Sequence, residues 1–239
     1  MINSNLAILR QMYGMGVRYM TLTHSCYTPW ADAFISDIIS PETKHDDKYD
    51  GPSPMEFHSL ARHLDTDALK ISRAPVFFSH FSAFSVFPHR RNVNDQVLKM
   101  LEANNGVLMI NFWNNVVRCS KDYKNATIDD VIEDFNYVKD LIGVDHLGMG
   151  ADYDGVPIVP KGLEDVSKYP DLLEKLVRDH NWSREDIKKI TGANILRVMK
   201  DVEKVAEELE ATKANDDTLD YCRIVGSDNC LIASAKAKS

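Results

Sequence analysis

Residues 74–80 read Ala-Pro-Val-Phe-Phe-Ser-His, a short β-rich run that closes on a histidine. Three other stretches share that form. Residues 17–23 (VRYMTLT) run into His24, residues 106–110 (GVLMI) into Asn111, and residues 146–151 (HLGMGA) into Asp152. A brief apolar run that ends in a polar side chain reads as a buried parallel strand. Parallel strands gather their carboxyl ends on one face of a sheet, and in (β/α) barrels that face carries the active site. The pattern therefore predicts that His24, His80, Asn111 and Asp152 converge although they are far apart in sequence.

Outward from these runs, the intervening segments have helical spacing. Asn5 to Tyr13 forms one helix, with Asn3 or Ser4 as its cap and Gly14 or Gly16 as its stop. Residues 36–54 are turn-rich and charged and read as an exposed loop, followed by a short helix over 58–70. Asn94 caps a helix over 95–103 that stops at Asn104-Asn105-Gly106. Thr127 with Asp130 makes a capping box that opens a helix to about Leu141. Pro170 suits a first helical turn, and Ser183 caps a long amphipathic helix from Arg184 to about Leu209. Strands alternating with helices give an α/β class with parallel strands. The division expected is a (β/α) domain over 1–210 and a loosely held tail over 211–239.

The 239 residues suffice for one large α/β domain, and 44% hydrophobic residues can fill its core. A net charge of -8 and a pI near 5.5 argue against a nucleic-acid partner. The four cysteines (26, 119, 222, 230) lack the CxxC spacing of a zinc knuckle. Two glycosylation sequons occur, at Asn125 and Asn181. The sequence shows no signal peptide, no GPI signal and no run of apolar residues long enough to span a membrane.

Singly, the polar residues have ordinary structural readings. A histidine at a strand end is usually a satisfied core or loop residue, Arg90-Arg91 a solvated face, and Asp152-Tyr153-Asp154 a turn before Gly155. Together they suit a small zwitterion. Arg91 can grip a carboxylate bidentately, Asp152 can take an ammonium or shuttle a proton, and His24 and His80 can bind metal or polarise a carbonyl.

The wording of four stretches adds a family. Residues 19–32 (YMTLTHSCYTPWAD), 72–92 (SRAPVFFSHFSAFSVFPHRRN), 148–160 (GMGADYDGVPIVP) and 162–172 (GLEDVSKYPDL) closely resemble the membrane (renal-type) dipeptidases, over about residues 5–206. That resemblance implies a (β/α)8 TIM-barrel of the metallo-dependent hydrolases, two zinc ions, and hydrolysis of dipeptides with free amino and carboxyl ends. It implies His80 as a metal ligand, His24 as the group that contacts substrate and stabilises the oxyanion, Arg91 as the holder of the carboxylate, and Asp152 as the group at the substrate amine and leaving nitrogen.

The family's HxD motif and bridging glutamate lie upstream of residue 1, and its IDLSH-like strand has no counterpart between Pro54 and Ser72. His58 and His63 fall outside its motifs and are assigned no role. The expectation is thus an incomplete barrel, lacking the first strands and one internal strand, with an incomplete zinc site and weak or no hydrolysis by this chain. The alternative is a non-catalytic peptide-binding or interaction module. The resemblance also implies an extracellular or cell-surface protein, attached to membrane only through a lipid anchor, with a homodimer among its partners. It leaves Cys26 and Cys119 without the family's disulfide mates and matches Cys222 to a cysteine that links subunits.

Overall fold

The computed structural model of the chain describes residues 5–21, 66, 68–89, 91–118, 123–210 and 212. By packing, the chain divides into two compact units, Met1–Leu64 with Thr212–Ser239, and Asp65–Ala211.

In the first unit, helix α1 spans Leu6–Gly14. Its cap is Asn5, whose side chain accepts the Ala7 N–H at 2.8 Å, in place of the expected Asn3 or Ser4. Residues 17–21 carry no strand, and Val17, Tyr19 and Met20 are exposed, contrary to the strand expected over 17–23. A parallel strand exists only against a neighbour, and the described residues of this unit offer none. The rest of that segment, with His24, lies outside the described residues.

The second unit is built on a three-stranded parallel sheet, β1 (Phe77–Phe81), β2 (Val107–Ile110) and β3 (Leu147–Met149), in the order β1-β2-β3. A parallel sheet needs helical crossovers, and the helices here are those that the caps predict. Asn94 accepts the Val97 N–H at 3.0 Å and opens α2 (Asp95–Ala103). A short α3 (Asn114–Val117) follows β2. The Thr127–Asp130 capping box opens α4 (Ile128–Ile142), and Pro170 sits in the first turn of α5 (Tyr169–His180).

One helix departs from expectation. The run from Arg184 breaks into α6 (Arg184–Lys188), a π-helical turn over Lys189–Ala193 and α7 (Asn194–Leu209). Gly192 leaves helical geometry there (φ 160°, ψ -26°). The break lets buried Asn194 donate to the Val144 and Leu147 carbonyls at 2.7 and 2.8 Å, which fixes α7 to the start of β3.

The core lies between one face of the sheet and helices α2 and α4. Phe78, Leu108, Ile110 and Leu147 meet Leu98, Leu101, Val131, Phe135 and Val138, all buried. Three strands and their crossovers make an α/β layer; the described residues do not close a barrel.

Candidate active site

The carboxyl ends of the three strands form the rim on which the predicted side chains meet. Their placement starts with an irregularity in β1. Phe78 pairs with Leu108, but Phe81 pairs with Ile110, so β1 carries one residue more than β2 between the same two rungs. Side chains alternate across a strand, and an inserted residue reverses the alternation beyond it. Phe78 and Phe81 therefore both face the helices with Leu108 and Ile110. His80 sits within this irregularity, its ring stacked on that of Phe81 at 5.8 Å. An unbulged β1 would set His80 opposite Ile110, toward the helical core.

Asn111 fastens that arrangement. It is fully buried. Its amide donates to the His80 carbonyl at 3.1 Å, and its side-chain oxygen accepts the Trp113 backbone N–H. The third strand arrives by a close approach. Gly150 donates to the Ile110 carbonyl at 2.9 Å, and a Cβ at this position would stand 2.0 Å from the Ser79 carbonyl oxygen. Only glycine lets the ends of β1 and β3 converge so tightly. Asp152 then takes a left-handed conformation (φ 63°) and accepts the Gly155 N–H at 3.0 Å in the turn expected from Asp152-Tyr153-Asp154-Gly155.

Arg91 comes to the same place on the connection from β1 to α2. Its guanidinium donates to His80 Nδ1 at 3.0 Å and lies over the Trp113 ring at 5.2 Å. Asp152 Oδ2 is 4.0 Å from the same His80 nitrogen. A guanidinium only donates, so His80 Nδ1 accepts, and the neutral ring carries its proton on Nε2. Burial pushes the Arg91 pKa down, and the charge of Asp152 pushes it back up. His89 completes the wall, accepting the Arg91 backbone N–H at 3.2 Å and meeting the Trp113 ring edge-on at 6.2 Å. Behind Asp152, Phe112, Tyr153 and Tyr169 pack as an aromatic triangle, and the Tyr153 hydroxyl donates to the Asp165 carbonyl at 3.1 Å. Burial foremost, then Tyr169 and nearby acids, raises the Tyr153 pKa and keeps it a neutral phenol.

The structure thus brings together His80, Arg91, Asn111 and Asp152. His24, Arg90, His58, His63 and all four cysteines lie outside the described residues. Sequence reasoning missed Trp113 and His89 as parts of the rim. Trp113 stands three residues past the end of β2, and that position was the available signal. Stacking on a distant arginine leaves no periodic trace.

A metal centre asks for more than this rim holds. A stable catalytic zinc takes three protein ligands and a water. Among the described residues no group of three or more His, Cys, Asp or Glu could hold a metal ion. His80 and Asp152 are two such groups, and a cationic guanidinium occupies the His80 nitrogen nearest the carboxylate. These residues alone do not fit a metal. Among the described residues, no helix is long and apolar enough to cross a membrane.

Comparison with known proteins gives the rim a context. A model of the membrane dipeptidase family (peptidase family M19) matches residues 1–48 and 58–213. An uncharacterized dipeptidase of Schizosaccharomyces pombe is 41% identical over 217 residues, covering 87% of this chain and 52% of its own length. Dipeptidase AclJ of Aspergillus oryzae is 37% identical over 231 residues, covering 90% and 52%. The chain therefore spans about half the length of these curated relatives.

Among solved structures, a metallo peptidase from Rhodobacter sphaeroides, liganded with a phosphinate mimic of the dipeptide L-Ala-D-Ala, superposes with a TM-score of 0.53. It is 28% identical, over 58% of this chain and 39% of that one. The probable dipeptidase PvdM of Pseudomonas aeruginosa superposes with a TM-score of 0.67 over 85% of this chain and 67% of its own; at 20% identity it shows the fold alone.

Proposed function

The chain belongs to the membrane dipeptidase family, peptidase family M19, and on that premise we propose that its activity is dipeptide hydrolysis and that the rim of β1–β3 is the side that grips the substrate. One observation carries the reading: a cation and an anion, Arg91 and Asp152, converge on a single imidazole, 3.0 and 4.0 Å from His80 Nδ1. A dipeptide with free ends is a zwitterion with the same two charges. Its carboxylate would take the guanidinium in a bidentate pair, and its ammonium would take Asp152. The Trp113 ring holds the guanidinium plane from one side, so less of its freedom is lost on binding.

The metal, zinc in this reading, and the oxyanion role of His24 belong to the same proposal, as do a cell-surface location and a homodimer. His80 as a metal ligand needs partners beyond Asp152 and an Arg91 that gives up the ring nitrogen. Weak or absent turnover by this chain is therefore part of the proposal. The donor set of the rim, suited to a zwitterion, equally supports the second reading, a peptide-binding module without catalysis.

One experiment separates the readings. The full chain is mixed with L-alanyl-L-alanine, with and without added zinc; binding is followed by calorimetry and hydrolysis by released alanine. We expect binding that Arg91→Ala weakens about tenfold to a hundredfold, the size of a lost charge-assisted pair. Unchanged affinity in that variant removes the rim from the site. Binding without turnover favours the module, and turnover near that of full-length relatives refutes the idea that this chain is catalytically weak.

A further inference from the structure

We propose that Asp134, a fully buried carboxyl group outside the rim, is a positioning residue that holds Arg91 in place through the neck of the loop that carries it. The inference rests on the reading of Arg91 as the carboxylate grip.

The loop runs from Ser82 to Val93 and is closed at its base. The Val93 N–H donates to the Ser82 carbonyl and the Phe84 N–H to the Val93 carbonyl, each at 2.8 Å, around an Ala83–Val93 bridge. Such loops, with ends held together, are compact and often functional. Next to the neck, Asn92 ties the loop across, its amide donating to the Phe87 and Val116 carbonyls at 2.7 Å. Arg91 immediately precedes that tie, two residues from Val93 at the neck. At the neck, the Ala83 carbonyl accepts the Val86 and Phe87 N–H groups, and the Ala83 N–H donates to Asp134 Oδ1 on α4 at 2.9 Å. Ser82, Ala83 and Asp134 are all fully buried.

The second half of the carboxyl group is unusual. Ser82 Oγ faces it, yet neither Asp134 Oδ2 nor Ser82 Oγ has a formed hydrogen bond. Buried polar atoms are seldom left so, because each orphan costs free energy. An ionised Asp134 has only the Ala83 N–H and the Ser82 hydroxyl to offset its desolvation, whereas a protonated carboxyl carries no charge to bury, can donate to Ser82 and keeps the bond to Ala83. Burial raises this pKa to about 7 against the lowering effect of the Ala83 N–H and the Ser82 hydroxyl, with a smaller push upward from Glu133, so the group changes state near neutrality.

Charges on the packed elements act elsewhere. Asp95 of α2 takes the Tyr137 and Ser85 hydroxyls, Arg118 beyond α3 pairs with Asp130, and Asp145 pairs with Lys189. Lys175 of α5 pairs with Asp129 and Lys139 with Asp186 of α6. β2 and β3 contain no ionisable residue. His80 is engaged by Arg91 and Asp152 at the rim.

The test uses the full chain and L-alanyl-L-alanine, with affinity read by calorimetry well below the melting temperature. At pH 6, Asp134→Asn, which keeps an acceptor for Ala83 and gains a donor for Ser82, binds within twofold of wild type. Asp134→Leu, which strands the Ala83 N–H, binds at least tenfold more weakly while circular dichroism shows it folded. Wild-type affinity falls relative to Asp134→Asn between pH 6 and 8, a change that a purely structural role would not produce. A folded Asp134→Leu with wild-type affinity overturns the inference. Should that variant fail to fold, a constant wild-type to Asp134→Asn ratio across the same pH range overturns it. Arg91→Ala is the control: if it binds like wild type, the reading of the rim fails first and takes this inference with it.

Discussion

At the scale of single residues, the rim depends on two positions that touch no substrate in the proposed reading. Asn111 satisfies the His80 carbonyl and the Trp113 N–H at once, inside the protein. Asn111→Leu leaves both backbone groups without partners, and each orphan costs about 1–3 kcal/mol. Urea unfolding should show a loss of roughly 2–5 kcal/mol; a loss under about 1 kcal/mol would mean that neither bond matters. Gly150 is fixed by space rather than by bonding. Gly150→Ala drives a methyl group into the Ser79 carbonyl oxygen, 2.0 Å from the ideal Cβ, and that atom is backbone that cannot swing aside. The expected cost is roughly 1–3 kcal/mol or more, with His80 displaced because Ser79 precedes it. A variant as stable as wild type, with an unchanged His80 imidazole resonance, would show that the strand ends have room for a methyl group.

At the scale of elements, α4 is both a packing helix and the carrier of a buried acid. Its apolar side, with Val131, Ile132, Phe135, Val138 and Ile142 buried, faces the sheet. Asp134 sits among these residues with a pKa near 7, above its ordinary value of 3.8. The sign of the linkage follows. Between about 4 and 7 the unfolded chain has released this proton while the folded chain keeps it, so stability falls as pH rises through that window and levels off above it. Asp134→Asn removes this component. Its gain over wild type should be absent near pH 4 and reach a few kcal/mol by pH 8, at about 1.4 kcal/mol per unit of pKa difference. Melting temperatures of the two proteins at pH 4, 6 and 8 check this; a constant difference places the Asp134 pKa at its ordinary value. The cap of α2 gives a simpler case. Asn94→Ala loses the bond to the Val97 N–H, worth about 1 kcal/mol, and should lower the denaturation midpoint without affecting dipeptide affinity.

At the scale of the whole molecule, what could be read from the sequence was local or familial. The strands leading to His80, Asn111 and Asp152 were legible because a short apolar run and a polar terminus are adjacent in the chain, although β1 continues to Phe81 and β3 stops at Met149. The caps at Asn94, Thr127 and Ser183 were legible because a cap acts within three residues. The bulge in β1 was not, since an extra residue shows itself only against the partner strand. Nor were the Arg91–His80 bond, the Trp113 stack or the Asp134–Ala83 anchor, which join residues whose meeting is decided by packing. The break at Gly192 is rewarded only by the distant carbonyls that Asn194 reaches.

The same distinction predicts what can fold alone. The connected core runs from Leu69 to Ile190 and falls wholly within the Asp65–Ala211 unit, as do the sheet and both long-range ties of Asn194. A chain of residues 65–211 should therefore unfold in one cooperative urea transition. Trp182 reports it directly: buried against Phe135, with its indole N–H on Asn136, it should shift its emission to the red as the core opens. Trp113, beside Arg91 on the rim, supplies a second signal away from the Trp182–Phe135 contact, and the two probes should give one midpoint. Separate midpoints would show that rim and core are held by different parts of the chain; a broad, non-cooperative transition would show that this core needs residues outside 65–211 to close.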